Sequence, residues 1–179
     1  MPTDSTLKLA VLQKYLSPVF VETGTHDGGG VQVALDAGFE KVISVEIDEE
    51  RQKQNTLRFQ KEIDEGRVTL ITGDIIDEFG GIVESLTEQA TFFLDAHWDF
   101  GVEGKSKCPL YFELDQIAKS DINNHKILID DRRCFGEGHH WGNEITELEI
   151  IKKLQSINSD YEIGYEDNTV AKNDIIVAS

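Results

Sequence analysis

Phe20-Val21-Glu22-Thr23-Gly24-Thr25-His26-Asp27-Gly28-Gly29-Gly30 begins as a short apolar strand and ends that strand in an acid. It then passes through small residues and runs into the helical spacing of Val31, Ala34 and Leu35. Strand, glycine turn and helix start together make a ligand cradle. Glycine lets the backbone approach a ligand closely, and the free N–H groups of a helix start favour polar or anionic groups. Which ligand the cradle suits depends on its surroundings.

Outward from this stretch, strands and helices alternate. Before it, Leu7, Leu9, Val11, Leu12, Tyr15 and Leu16 recur at helical spacing after Asp4-Ser5, which supply an N-cap, and Pro18 closes that helix. A strand over 19–21 enters the cradle, and the helix over 31–37 stops at Gly38. Next come a β-branched strand over 41–48, a charged helix over 49–65, a strand over 68–72, a helix over 75–88 and a strand over 91–95. Pro109 opens a helix carrying Leu110, Leu114 and Ile117, a fifth strand covers 126–130, and a helix covers 144–157. The tail reads as strands over 161–166 and 174–178 joined by the turn-like Asp167-Asn168. The pattern predicts an α/β fold: a Rossmann-like, doubly wound, mainly parallel seven-stranded sheet with a C-terminal antiparallel hairpin. One domain is expected, an N-terminal helix over 1–17 on a core over 18–179.

Composition narrows the partners. At 179 residues and 39% apolar content the chain can bury one sizeable core. Its 34 acids against 17 basic residues give a net charge of -17, a field that repels phosphate backbones and anionic lipid. The expectation is therefore no nucleic acid and no membrane. A solvated acidic exterior explains the excess, with a cation-attracting pocket as the other reading. The N-terminus has no basic region leading into an apolar core, and no apolar run approaches about 18 residues, so a cytoplasmic location is expected. Cys108 and Cys134 are too few for a disulfide framework and are expected to be reduced thiols.

In an open parallel sheet, ligands bind beyond the carboxyl ends of the strands. Glu22 ends the first strand, Glu46 and Asp48 the second, Asp74 follows the third, Asp95 ends the fourth, and Asp130 and Asp131 end the fifth. Five strands ending in carboxylates make a poor core, because each buried charge needs a partner. A ligand or a cation is the simpler reason for them. Glu46 lies about twenty residues beyond the glycine turn, where a carboxylate accepts both ribose hydroxyls of an adenosine cofactor. The dinucleotide fingerprint G-x-G-x-x-G is absent, and Asp27 stands where a pyrophosphate would lie. The acidic turn suits a cofactor with a cationic centre and a free amino group, such as S-adenosylmethionine.

In order and spacing, Glu22-x-Gly24-x-x-x-Gly28, Val45-Glu46-Ile47-Asp48, Thr72-Gly73-Asp74-Ile75 and Phe93-Leu94-Asp95-Ala96-His97 resemble the successive motifs of class I S-adenosylmethionine-dependent methyltransferases. The resemblance runs from about residue 19 to 178. It implies that Glu22, Gly24, Thr25 and Gly28 hold the methionine portion, Glu46 the ribose, and Asp74 with Ile75 the adenine edge, with Asp95 completing the cofactor set. Asp95 with Asp130-Asp131 is similar to the pattern of the metal-dependent O-methyltransferases typified by catechol O-methyltransferase. That likeness implies Mg2+ or another divalent cation on Asp95, Asp130 and Asp131, holding the acceptor's hydroxyl oxygens and lowering their pKa. The chain departs from that family where a lysine is expected three residues after the metal Asp; Trp98 stands there. His97 is the nearest replacement as base, with Asp95 beside it in the catalytic set.

Plainer readings stand beside these. Asp130-Asp131 could cap the following turn or pair with Arg132 and Arg133. His97 could be a structural hydrogen-bonding residue, and His139, His140 and Trp141 an ordinary loop rather than a substrate-side lid. The activity expected is methyl transfer to an oxygen of a small polar acceptor. A nicotinamide-dependent oxidoreductase and a non-catalytic S-adenosylmethionine-binding module are the alternatives, and a homo-oligomer is an open one. Acceptor specificity falls to the N-terminal helix and the loops at 99–108 and 132–143.

Overall fold

Alternate residues along each central strand point to opposite faces, so apolar runs without polar interruption need cover on both. The structure, a computed structural model, describes residues 5–96, 108–136 and 144–179 and has that arrangement. β1 (Val19–Thr23), β2 (Lys41–Glu46), β3 (Val68–Thr72), β4 (Ala90–Leu94), β5 (Lys126–Ile129), β6 (Ile163–Glu166) and β7 (Ile175–Ala178) form one sheet in the order β3-β2-β1-β4-β5-β7-β6. β1 to β5 run parallel, and β7 lies antiparallel to both β5 and β6. Val19, Val21, Phe92, Leu94, Ile127 and Ile129 face one core; Phe20, Phe93, Leu128 and Val177 face the other.

The first core is covered by α5 (Ile75–Ser85), α6 (Leu110–Ile117) and α7 (Glu147–Ile157); the second by α1 (Leu9–Leu12), α2 (Gly29–Ala37) and Phe59. The chain leaves β1 toward β2 and later crosses back to β4 on β1's other side. The connections therefore diverge at the β1/β4 boundary and open a crevice at their carboxyl ends.

Several boundaries differ from expectation, each for a local reason. The N-terminal helix is one turn followed by a 3-10 turn at Gln13–Tyr15; its N-cap is Lys8, and Ser5 instead accepts a hydrogen bond from the Leu7 N–H. The predicted helix over 49–65 breaks into α3 (Glu49–Arg58) and α4 (Gln60–Asp64), because Phe59, 2% exposed, turns its ring into the core against Gly28. α7 starts after Thr146, whose hydroxyl accepts from the Glu149 N–H, rather than at 144. The connection between β6 and β7 is longer than a tight turn, and Asn168 within it is buried. Among the described residues no helix is long and apolar enough to cross a membrane. His97, Trp98, Phe100, His139, His140 and Trp141 lie outside the described residues.

Candidate cofactor cleft and the acidic strand tips

The tips of β1, β2 and β4 and the starts of α2 and α5 enclose a cavity of about 340 Å3. Of the residues expected to bind cofactor, Glu22, Gly24, Thr25, Glu46, Asp74, Ile75 and Asp95 line it. Gly28 is set back, with α3 and Phe59 behind it: a Cβ there would lie 2.7 Å from Asn55 Oδ1 and from the Phe59 ring.

The turn's shape follows from its contacts. The Gly24 and Thr25 N–H groups donate to the Val45 carbonyl at 2.9 and 3.0 Å, bending the chain over β2. Gly24 has φ +87°, and a Cβ on it would approach the Asp95 carbonyl oxygen to 2.9 Å; glycine removes both obstacles. Asn55 Nδ2 donates to the His26 carbonyl at 2.8 Å and Arg58 to the Asp27 carbonyl at 2.6 Å, so α3 holds the far side of the turn. At Gly30 the space a side chain would need is taken by Glu22, whose Oε1 lies 1.6 Å from an ideal Cβ position.

Glu22 is 3% exposed, and its Oε2 accepts from the Ser44 hydroxyl at 2.6 Å. The Ser44 and Thr25 hydroxyls pair at 2.7 Å. Burial pushes the Glu22 carboxyl up to about 8; the Ser44 hydrogen bond opposes the shift, and the neighbouring charges of Asp95 and Glu46 add to it. Glu46 accepts the His26 N–H on Oε2 at 2.7 Å and the Asp48 N–H on Oε1 at 2.9 Å, leaving each oxygen a further lone pair. Asp74 caps α5 by accepting the Ile76 N–H at 3.0 Å. Asp48 caps α3 through the Glu50 and Arg51 N–H groups.

The acids beyond β5 are arranged differently. Oxygens of Asp130, Asp131 and Asp174 lie within 4.8 Å of one another; among the described residues Asp95 is not one of this group. Asp130 does not line the cleft. It is fully buried, with Oδ2 accepting from the Thr6 hydroxyl and Oδ1 from Asn168 Nδ2 at 2.7 Å. Burial raises its pKa, and those two hydrogen bonds work against the rise. The Arg133 guanidinium pairs with Asp131 at 2.7 Å and with Asp174, which also accepts the Arg133 N–H at 2.9 Å. This donor set tests poorly against a resident divalent ion. The charges of Asp131 and Asp174 already meet a guanidinium, and Asp130 is held by Thr6 and Asn168.

Sequence reasoning missed Ser5 and Thr6, which also line the cleft, although they are distant in the chain from every other wall residue. Ile47, Arg51 and Ile76 line it too. Ile47 follows Glu46 directly and Ile76 follows the Asp74-Ile75 pair, so nearness to the motifs was an available signal for both.

No family model matches the sequence, and no curated protein matches it. Solved structures do. The methyltransferase PaMTH1 of Podospora anserina, crystallised with S-adenosylhomocysteine (SAH), is 12% identical with a TM-score of 0.63, the match covering 95% of this chain and 74% of that one. The O-methyltransferase of Bacillus cereus in complex with SAH is 16% identical at a TM-score of 0.63, over 99% of this chain and 80% of that one. The O-methyltransferase TomG of Streptomyces achromogenes, in complex with S-adenosylmethionine, is 9% identical at 0.62, over 95% and 76%.

Proposed function

We propose, from a chain that carries the fold of the class I S-adenosylmethionine-dependent methyltransferases, that the cleft binds S-adenosylmethionine and that the protein methylates an oxygen of a small polar acceptor. One observation carries this reading. Among the described residues, Glu22, Asp27, Glu46, Asp74 and Asp95 all line one cavity against the single guanidinium of Arg51. A pyrophosphate in that field is strongly disfavoured, which counts against a nicotinamide dinucleotide, whereas a sulfonium and an ammonium are favoured.

In this reading Glu46 accepts the ribose hydroxyls with the lone pairs its amide contacts leave over. Asp74, Ile75 and Ile76 at the start of α5 receive the adenine, and Glu22 with the Gly24-to-Gly28 turn receives the amino-acid end. Bound there, S-adenosylmethionine supplies an electrophilic methyl group on a cationic sulfur. The protein's part is to fix the acceptor oxygen in line with that methyl and to remove its proton. Asp95 at the tip of β4 and His97 two residues beyond it are assigned to that task, His97 as base. Because the charges of Asp131 and Asp174 already meet Arg133, no step is routed through a metal.

Calorimetric titration with SAH tests the cofactor assignment: micromolar to low-millimolar binding is expected, and no binding at millimolar ligand would overturn it. Release of SAH across a panel of hydroxylated acceptors tests turnover. Cofactor binding without turnover on any of them would leave a binding module instead.

A further inference from the structure

Glu22 combines three features. It is 3% exposed, its Oε2 has a single neutral donor in Ser44, and its Oε1 makes no hydrogen bond to any described residue although it lies at the cleft wall over Gly30. A buried carboxylate so poorly supplied with donors is costly when ionised. The groups facing it from each packed element deepen that cost. β2 contributes Glu46 and the tip of β4 contributes Asp95, while Asp27 and His26 of the glycine turn, paired at 3.5 Å, line the same cavity. The Ser44 hydrogen bond is what favours the charged form, and Arg51 on α3 lines the same cavity.

We propose that ligand binding in this cleft is coupled to a proton at Glu22: the carboxyl holds a proton in the ligand-free protein and releases it to solvent when a ligand ammonium docks against it. The inference rests on the cofactor reading above and deepens it. The balance is simple. The carboxylic acid loses its O–H bond, the carboxylate gains a charge-assisted contact with the ammonium, and one proton leaves for each ligand bound. With the free acid titrating near 8, the ligand-free group is mostly protonated at neutral pH. Affinity for an ammonium-bearing ligand then climbs with pH until the free acid has titrated, by roughly ninefold between pH 6 and pH 7, and levels off only above about pH 9. A neutral adenosyl ligand without the amino-acid end has nothing to ionise Glu22 against, so its affinity does not follow this curve.

Calorimetry of the full chain at pH 7, in two buffers of different ionisation enthalpy, counts the protons directly. SAH is expected to release about 0.9 proton per site and 5′-methylthioadenosine about none. Glu22→Gln, which keeps the shape of the protonated acid, is expected to abolish both the release and the pH dependence; its thermal unfolding checks that it is folded. His26→Ala is expected to keep the release. SAH binding with a proton count near zero in the wild type overturns the proposal while leaving the cofactor reading standing, and so does Glu22→Gln binding that retains the count. Loss of the count in His26→Ala would move the proton to the imidazole and equally overturn it. No SAH binding at all sinks both readings together.

Discussion

Gly30 is a position where the cleft needs a missing side chain. An added Cβ would fall on Glu22 Oε1, so Gly30→Ala must displace either that carboxyl or the first turn of α2. The expected cost is about 1–3 kcal/mol of stability, read by urea unfolding, together with at least a tenfold loss in SAH affinity. His125, at the other end of the sheet, gives a pH signature. It is fully buried, its Nδ1 accepts the Ala90 N–H at 3.0 Å, and Phe92 packs edge-on at 5.1 Å. Burial lowers its pKa to about 4. The unfolded chain takes up that proton near 6.5 and the folded one only near 4, so His125 removes stability as pH falls through this window, by an amount of order 3 kcal/mol. Glu22 has the opposite sign: raised in the folded state, it costs stability as pH rises from about 4.5 toward 8. The His125 contribution is therefore read as wild type minus His125→Gln, and a pH-independent difference from pH 7 to 4 would show that the imidazole is not held neutral. Glu22, Glu46 and Asp74 were legible in the sequence because carboxylates at strand tips are costly without a purpose. Ser44, Thr6 and Asn168 were not: they are neutral polar residues whose importance comes from partners as far as 124 residues away.

At the scale of elements, apolar runs located the central strands because their composition and burial agree, as in β1 and β4, where every residue is buried. Helix ends were less legible wherever tertiary packing overrode local pattern. No local signal in the charged run over 49–65 marks Phe59 as a break; its ring finds the core against Gly28. The start of α7 was set at 144 by the pattern, although Thr146-x-x-Glu149 offered a capping spacing that marks the observed start. Asp48 illustrates how a motif residue can serve an element rather than a ligand. Its carboxylate accepts two amide hydrogen bonds at the start of α3, and its own N–H steadies Glu46. Asp48→Ala should cost about 1 kcal/mol in urea unfolding through the lost cap. SAH affinity should fall only a few-fold, because Glu46 keeps the backbone N–H donors of residues 26 and 48. A loss as large as that of Glu46→Ala would place Asp48 in direct contact with the ligand.

Across the whole molecule, the chain's two ends are stitched together around β5. Thr6 donates to Asp130, the Thr169 N–H donates to the Thr6 carbonyl at 2.9 Å, and Asn168 Nδ2 bridges Asp130 and Asp174 at 2.7 Å each. Thr6 also lines the cleft, so this network fixes one wall of it. With a net charge of -17, the molecule can gather acids only where something offsets them, and at Asp131 and Asp174 that counter-charge is Arg133. The resemblance to metal-dependent enzymes and the observed ion pairs therefore lead to opposite expectations for added metal. If the guanidinium fills the cation's role, the wild-type unfolding temperature should not change with EDTA or with millimolar Mg2+. Arg133→Ala should lose about 2 kcal/mol, because the buried Asp174 is left without its counter-charge. Millimolar Mg2+ or Ca2+ should then restore much of that loss, since three carboxylates within 4.8 Å and no internal cation make an oxygen site a hard divalent ion can use. A wild-type protein that Mg2+ stabilises would reverse the assignment and return Asp130 and Asp131 to the role of metal ligands, with Asp174 beside them in place of Asp95.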